Sequence, residues 1–168
     1  MIKISKSEYK DILKYSARAL PYEACGLVGG RIEGQDRIVE KVYNLTNVDH
    51  SQYHFSIDPQ EQFEAIRDLR MRGMVPLGCW HSHPDTPAVP SKEDERLAYD
   101  TFASYLIMSL NEPETPVLSS YRLDERMVEK NTTHDHRQRR NEAGGSIMVR
   151  EEIQFEQNVS CFKCYSRN

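Results

Sequence analysis

Ala24-Cys25-Gly26-Leu27-Val28-Gly29-Gly30 carries no polar side chain and three glycines in seven residues. A short apolar run of this kind reads as a buried strand, and its glycines let neighbouring elements approach closely. Asp36 to Asn44 reads as its hairpin partner, with the turn near Glu33-Gly34. Val75 to His83 is expected to be a central strand. Ser104 to Leu110 is expected to be buried by its continuous apolarity, and Val117 to Leu123 alternates as a half-buried strand does. Tyr53 to Ile57 also alternates and is expected to form a strand, as is Ile147 to Phe155.

Helical signals fall between these runs. Ser5-Lys6-Ser7-Glu8 reads as a capping box, followed by Tyr9, Ile12, Leu13, Ala17 and Leu20 at helical spacing, and Pro21 ends that helix. Asp58-Pro59-Gln60-Glu61 places an N-cap acid before a proline at the first helical position. Phe63, Ile66 and Leu69 are expected on one face, with Gly73 closing the helix. Ser91-Lys92-Glu93-Asp94 opens another short helix. The order predicts an α/β (α+β) fold, a curved mixed β-sheet flanked by helices. Length suits one domain that buries a core without disulfides or a structural metal. Composition turns polar near Asn131, so residues 1–130 read as the folded domain. Residues 131–168 read as a polar linker and C-terminal extension, with one added strand near 147–155.

The net charge of -4 and a pI near 5.9 leave no basic face for nucleic acid. Arg137, Arg139 and Arg140 lie beside Asp135 and Glu142 and read as a solvated tail. Met1-Ile2-Lys3-Ile4-Ser5 lacks the apolar core of a signal peptide, and no apolar run approaches the roughly 20 residues of a membrane span. A cytoplasmic location is therefore expected, with the four cysteines reduced. Cys25 and Cys79 fall in apolar strands and read as buried thiols. Cys161 and Cys164 form a CxxC without a second pair, and His134 with His136 stands in a polar segment without a strand pattern.

The chemistry concentrates in Gly78-Cys79-Trp80-His81-Ser82-His83-Pro84 and Pro90-Ser91-Lys92-Glu93-Asp94. Strand side chains alternate, so His81 and His83 point to the same side as a chelating pair. Catalytic zinc sites use three protein ligands and leave one position open. Asp94, in the first turn of the next helix, is a candidate third ligand, and Pro84, Pro87 and Pro90 stiffen the loop between. Each element has an ordinary reading: two polar residues on a strand, a capping box, a proline near a helix start. The information lies in the conjunction, His-x-His-Pro, six residues, Ser, two residues, Asp.

That string resembles the signature of the JAMM, or MPN-plus, metallopeptidases, over roughly Met1 to Glu129. Glu23, just before Ala24-Cys25-Gly26-Leu27, is similar to the family's glutamate. The resemblance implies a cytidine-deaminase-like MPN fold and one zinc per chain, held by His81, His83 and Asp94 with a water at the fourth position. It implies Glu23 as general base and Ser91 as an oxyanion donor. Small stand-alone members of the family resemble enzymes that process ubiquitin-like or sulfur-carrier proteins at their terminal glycine. Alternatives within the fold are a deubiquitinase-like or phage-tail-type hydrolase and a noncatalytic MPN scaffold. Gly144-Gly145 reads as ordinary loop glycines, with self-processing as the alternative that the resemblance suggests.

Overall fold

The computed structural model describes residues 1–123 and 148–156 of the 168. Its elements run β1 (Ile2–Ser5), α1 (Lys6–Ala19), β2 (Cys25–Glu33), β3 (Asp36–Leu45), α2 (Pro59–Met71) and β4 (Val75–His83). They continue through α3 (Lys92–Leu97), β5 (Ser104–Ser109), β6 (Val117–Leu123), β7 (Met148–Glu151) and β8 (Ile153–Glu156). The expected boundary at 130/131 falls outside the described residues. So do the linker, Gly144-Gly145, His134, His136, the arginine cluster, Cys161 and Cys164.

Local chemistry sets the helix ends. Ser5 caps α1 by accepting from Ser7 and Glu8 N–H, Asp58 caps α2, and Gly73 leaves it at φ 71°. On α2 the buried stripe is Ala65 and Leu69, an i,i+4 pair, with Ile66 half-buried. Phe63 is 63% exposed. Two residues of helix turn it about 200° from Ala65, so it leaves the face expected for it.

All eight strands form one sheet, in the order β7-β6-β5-β4-β2-β3-β1-β8. The β4–β5, β1–β3 and β1–β8 pairs are parallel and the rest antiparallel. This is the curved mixed sheet flanked by helices that the sequence predicts. The stretch read as one strand at 147–155 is two. Only Glu152 separates β7 from β8, although they are opposite ends of the strand order, so the edges meet there and the sheet nearly closes. Ile2 N–H donates to the Glu152 carbonyl at 2.9 Å across this seam. The short strand β1 was not apparent in the sequence, though Ile2 and Ile4 alternate with more exposed neighbours and are fully buried.

Side-chain alternation divides the core. Ile2, Ile4, Val28, Trp80, Leu106 and Met108 pack with Ile12 of α1 on one face. Leu27, Leu45 and Ala65 pack with Ile66 and Cys79 on the other, under α2. Trp80 is fully buried, and its indole N–H donates to the Tyr43 carbonyl at 3.1 Å. Removing an indole of this size from water contributes about 4–6 kcal/mol. Its cross-strand partner is Gly26, where a Cβ would overlap that same Tyr43 carbonyl and crowd the indole. The glycine is there for space. Tyr53 to Ile57 does not become a strand: only Ile57 bridges, to Asn47, and the segment is held by side-chain bonds instead.

A buried polar cluster locks the seam. Glu151 of β7 accepts from Ser104 Oγ at 2.7 Å and Ser120 Oγ at 2.9 Å, and lies 3.5 Å from the Arg37 guanidinium. No described helix is long and apolar enough to cross a membrane.

Candidate metal centre

His81 and His83 end β4 at the middle of the sheet, on the face that carries Cys79 and lies under α2. The chain then passes Pro84, Pro87 and Pro90 and re-enters helix at Ser91. There Ser91 Oγ accepts the Asp94 N–H at 3.1 Å, and Asp94 Oδ2 accepts the Ser91 N–H at 2.6 Å. This reciprocal cap holds the Asp94 carboxylate at the start of α3, facing the histidines.

The three donors converge. His81 Nε2 lies 3.0 Å from His83 Nε2 and 3.4 Å from Asp94 Oδ1, and His83 Nε2 lies 3.7 Å from Asp94 Oδ2. A tetrahedral zinc with bonds of about 2.0–2.1 Å has ligand atoms about 3.3 Å apart, a spacing these distances bracket. His83 Nδ1 is 2.8 Å from the Pro87 carbonyl, which fixes the tautomer that turns the Nε2 lone pair toward the other two donors. The Phe55 ring stacks on His81 with centroids 4.7 Å apart and planes 22° from parallel. Three convergent donors in a largely buried setting can hold a divalent cation, and they fit zinc in number, type and spacing.

The electrostatics differ between the two histidines. Burial lowers the His81 pKa, favouring the neutral ligand form. Burial also acts to lower His83, but Asp94 and the Pro87 carbonyl outweigh it and leave the value raised. Asp94 is opposed by burial, yet the two imidazoles hold it well below the usual carboxylate range.

Glu23 enters from β2. Ser82 N–H donates to the Ala24 carbonyl at 2.9 Å, and Ala24 N–H to Ser82 Oγ at 2.8 Å. Continuing the Cys25–His81 register sets Glu23 opposite His83. Glu23 is 5% exposed, and burial pushes its carboxyl up to about 8, with His83 acting in the opposite sense. The structure thus brings Glu23 to the His81, His83 and Asp94 cluster. Ser91 is exposed at the helix cap, where its Oγ accepts the Asp94 N–H. Burial pushes Cys79 to about 12, and Cys25 to about 12 as well, so neither supplies a thiolate at neutral pH.

Beside His81 and Asp94 opens a cavity of about 440 Å³. It is walled by Leu27, Ile57, Ile66, Cys79 and Leu97 and closed by the 99–103 turn. Arg37 and Arg122 pin that turn by donating to the Phe102 and Thr101 carbonyls at 2.9 and 3.1 Å. Neither Phe55 nor Asn47 stands out in the sequence as a site residue; the one signal for Asn47 is an amide just past a strand end.

The chain matches the family model described as prokaryotic homologs of the JAB domain over residues 5–124. A CysO-cysteine peptidase of Mycobacterium tuberculosis is 35% identical over 112 residues, 67% of this chain and 75% of that one. A desampylase of Haloferax volcanii is 31% identical over 91 residues, 53% of this chain and 63% of its own length. A Desulfitobacterium hafniense protein solved in solution superposes with a TM-score of 0.77 at 44% identity, covering 95% of this chain and 96% of that one.

Proposed function

Because this chain belongs to the prokaryotic homologs of the JAB domain, we propose that it is a zinc-dependent peptidase that hydrolyses amide bonds at or near the C-terminal glycine of a small ubiquitin-like or sulfur-carrier protein. The observation that carries the reading is the convergence of His81, His83 and Asp94 at tetrahedral ligand spacing beside the buried carboxyl of Glu23. The substrate class follows the names of the similar peptidase and desampylase.

His81, His83 and Asp94 would hold the zinc, which would supply Lewis acidity toward the scissile carbonyl and lower the pKa of a water to about 7. The remaining steps belong to the chain. Glu23 takes a proton from the attacking water, and its burial raises the affinity with which it holds that proton. It then delivers the proton to the leaving amine. Ser91 Oγ donates to the oxyanion that develops on the carbonyl, a contact stronger in the transition state than in the ground state. The Pro87 carbonyl keeps His83 in its ligating tautomer. The cavity beside His81 and Asp94 receives an apolar side chain of the protein substrate close to the cut bond.

The test is incubation of the zinc-loaded protein with ubiquitin-like proteins of its own genome, each bearing a C-terminal extension. Intact mass identifies the bond. Cleavage is expected after the terminal glycine, and Glu23→Gln is expected to slow it by about 10²–10⁴. Equal rates for Glu23→Gln and wild type would sink the mechanism. A chain that binds no zinc and cuts nothing would instead be a noncatalytic scaffold.

A further inference from the structure

We propose that Asn47 is a positioning residue that sets, through one loop, both the general base Glu23 and the Phe55 ring that backs His81. The role given to Glu23 rests on the peptidase reading above; the placement of Phe55 does not. Asn47 is 8% exposed and lies just past the end of β3. Its Nδ2 donates to the Glu23 carbonyl at 3.0 Å and the His54 carbonyl at 3.3 Å. Its Oδ1 accepts from Asp49 N–H and Ser56 N–H, both at 3.1 Å. One amide thus uses both donors and both acceptor positions, and all four partners are backbone groups, three in the loop and one at Glu23.

These bonds have two consequences for the site. The first concerns Glu23, whose N–H donates to the Ser51 carbonyl at 2.8 Å. With its own carbonyl held by Asn47, Glu23 is clamped through both of its backbone polar groups by the same 47–57 loop. A carboxyl that moves a proton needs that placement, because it stands two residues before β2, beyond the last backbone bond to β4 at Ala24. The second concerns Phe55, which sits between two of the three loop residues Asn47 holds, His54 by its carbonyl and Ser56 by its N–H. Val48 N–H donating to the Ser56 carbonyl at 2.9 Å and the Asn47–Ile57 bridge close the same turn. The Phe55 ring is thereby fixed face to face on His81, limiting the tilt of that imidazole, and it also lines the cavity. The chemistry selects asparagine: a carboxylate at 47 would turn an oxygen toward two carbonyl oxygens, and a methyl would leave all four backbone groups unmet.

Two measurements on the zinc-loaded protein test this. In the first, nuclear magnetic resonance follows the carbon-bound ring protons of His81. The stacked Phe55 ring displaces them upfield, and Phe55→Leu, which removes the ring, defines the undisplaced position. Asn47→Asp, which keeps the two acceptor bonds and loses the two donor bonds, is expected to lose most of that displacement while the α1 side of the core is unchanged. In the second, kcat is measured on a cleaved carrier fusion. Asn47→Asp and Asn47→Ala are expected to lower kcat by about 10²-fold, the scale of an ångström-level misplacement, with KM nearly unchanged. In the Glu23→Gln background the same substitutions are expected to cost less than about threefold, because the group they misplace is already disabled. A His81 displacement retained in Asn47→Asp, or kcat losses that multiply in the double variant, overturns the proposal. If Asn47→Ala fails to fold, Asn47→Asp carries both measurements. If the wild-type protein cuts no carrier, the peptidase reading fails and the His81 displacement decides for or against Asn47.

Discussion

Replacing Glu151 by glutamine tests whether the seam between β7 and β8 holds the sheet closed. Glu151 and Arg37 have side chains 6% and 8% exposed and lie 3.5 Å apart, so solvent screens the pair little. Glutamine keeps the volume and one oxygen for Ser104 and Ser120, removes the charge, and puts an NH2 in place of the oxygen that faces Arg37. What remains is a buried Arg37 whose pKa burial already lowers, with Arg122 beside it lowering it further and Glu151 no longer offsetting them. Breaking a buried pair by neutralising one partner costs about 3–5 kcal/mol. Against a total stability of about 5–15 kcal/mol this is a large share. At about 2–4 °C per kcal/mol for a chain of this size, Tm is expected to fall by about 6–20 °C. Urea unfolding followed by circular dichroism supplies the free energy, and calorimetry the midpoint. Arg37→Met with Glu151→Leu, which replaces both charges by apolar groups of similar length, is expected to recover most of the loss. A loss below about 1 kcal/mol in Glu151→Gln, or no recovery in the double variant, would refute the reasoning that this pair carries the closure.

Three further outcomes are expected. Elemental analysis should find about one zinc per chain, absent in His81→Ala; removing the metal with a chelator should abolish cleavage, lower Tm and reduce the unfolding free energy by about 2.7 kcal/mol if zinc had been present at 100 times its Kd. Ser91→Ala should cost about 10²–10³ in kcat through the lost oxyanion donor and about 1 kcal/mol through the lost cap, while Ser91→Thr, which keeps the hydroxyl, restores most of both in kinetics and urea titration. Gly26→Ala should destabilise the protein by at least about 1–3 kcal/mol, because its Cβ must displace the Tyr43 carbonyl or the Trp80 indole; an unchanged urea midpoint would mean the β2–β3 ladder yields more easily than its packing indicates.

Much of the fold and site was legible in the sequence because it is local. Caps at Ser5, Asp58 and Ser91 act within three residues of themselves, and β4 and β6 have the bounds that apolarity and alternation mark out. The shared direction of His81 and His83 follows from strand pleating alone, and the short proline-rich loop confines where Asp94 can be. The errors have equally local causes. Alternation in Tyr53 to Ile57 looked like a strand, but Asn47 and Ser56 satisfy that backbone without a ladder. Phe63 looked like core because periodicity reports a stripe and cannot say which of two neighbouring stripes packs.

The amino-acid sequence by itself thus determined the three helices and most of the strands, that two imidazoles share a face, and that a carboxylate follows them on a short tether. Only the tertiary structure decided that Glu23 lies opposite His83, that Asn47 ties Glu23 to Phe55, and that Glu151 closes the sheet onto Arg37. The physical reason is distance along the chain. Those contacts join residues separated by up to 114 positions, and they depend on strand order and register, which emerge when the whole core packs and are not encoded in any one segment.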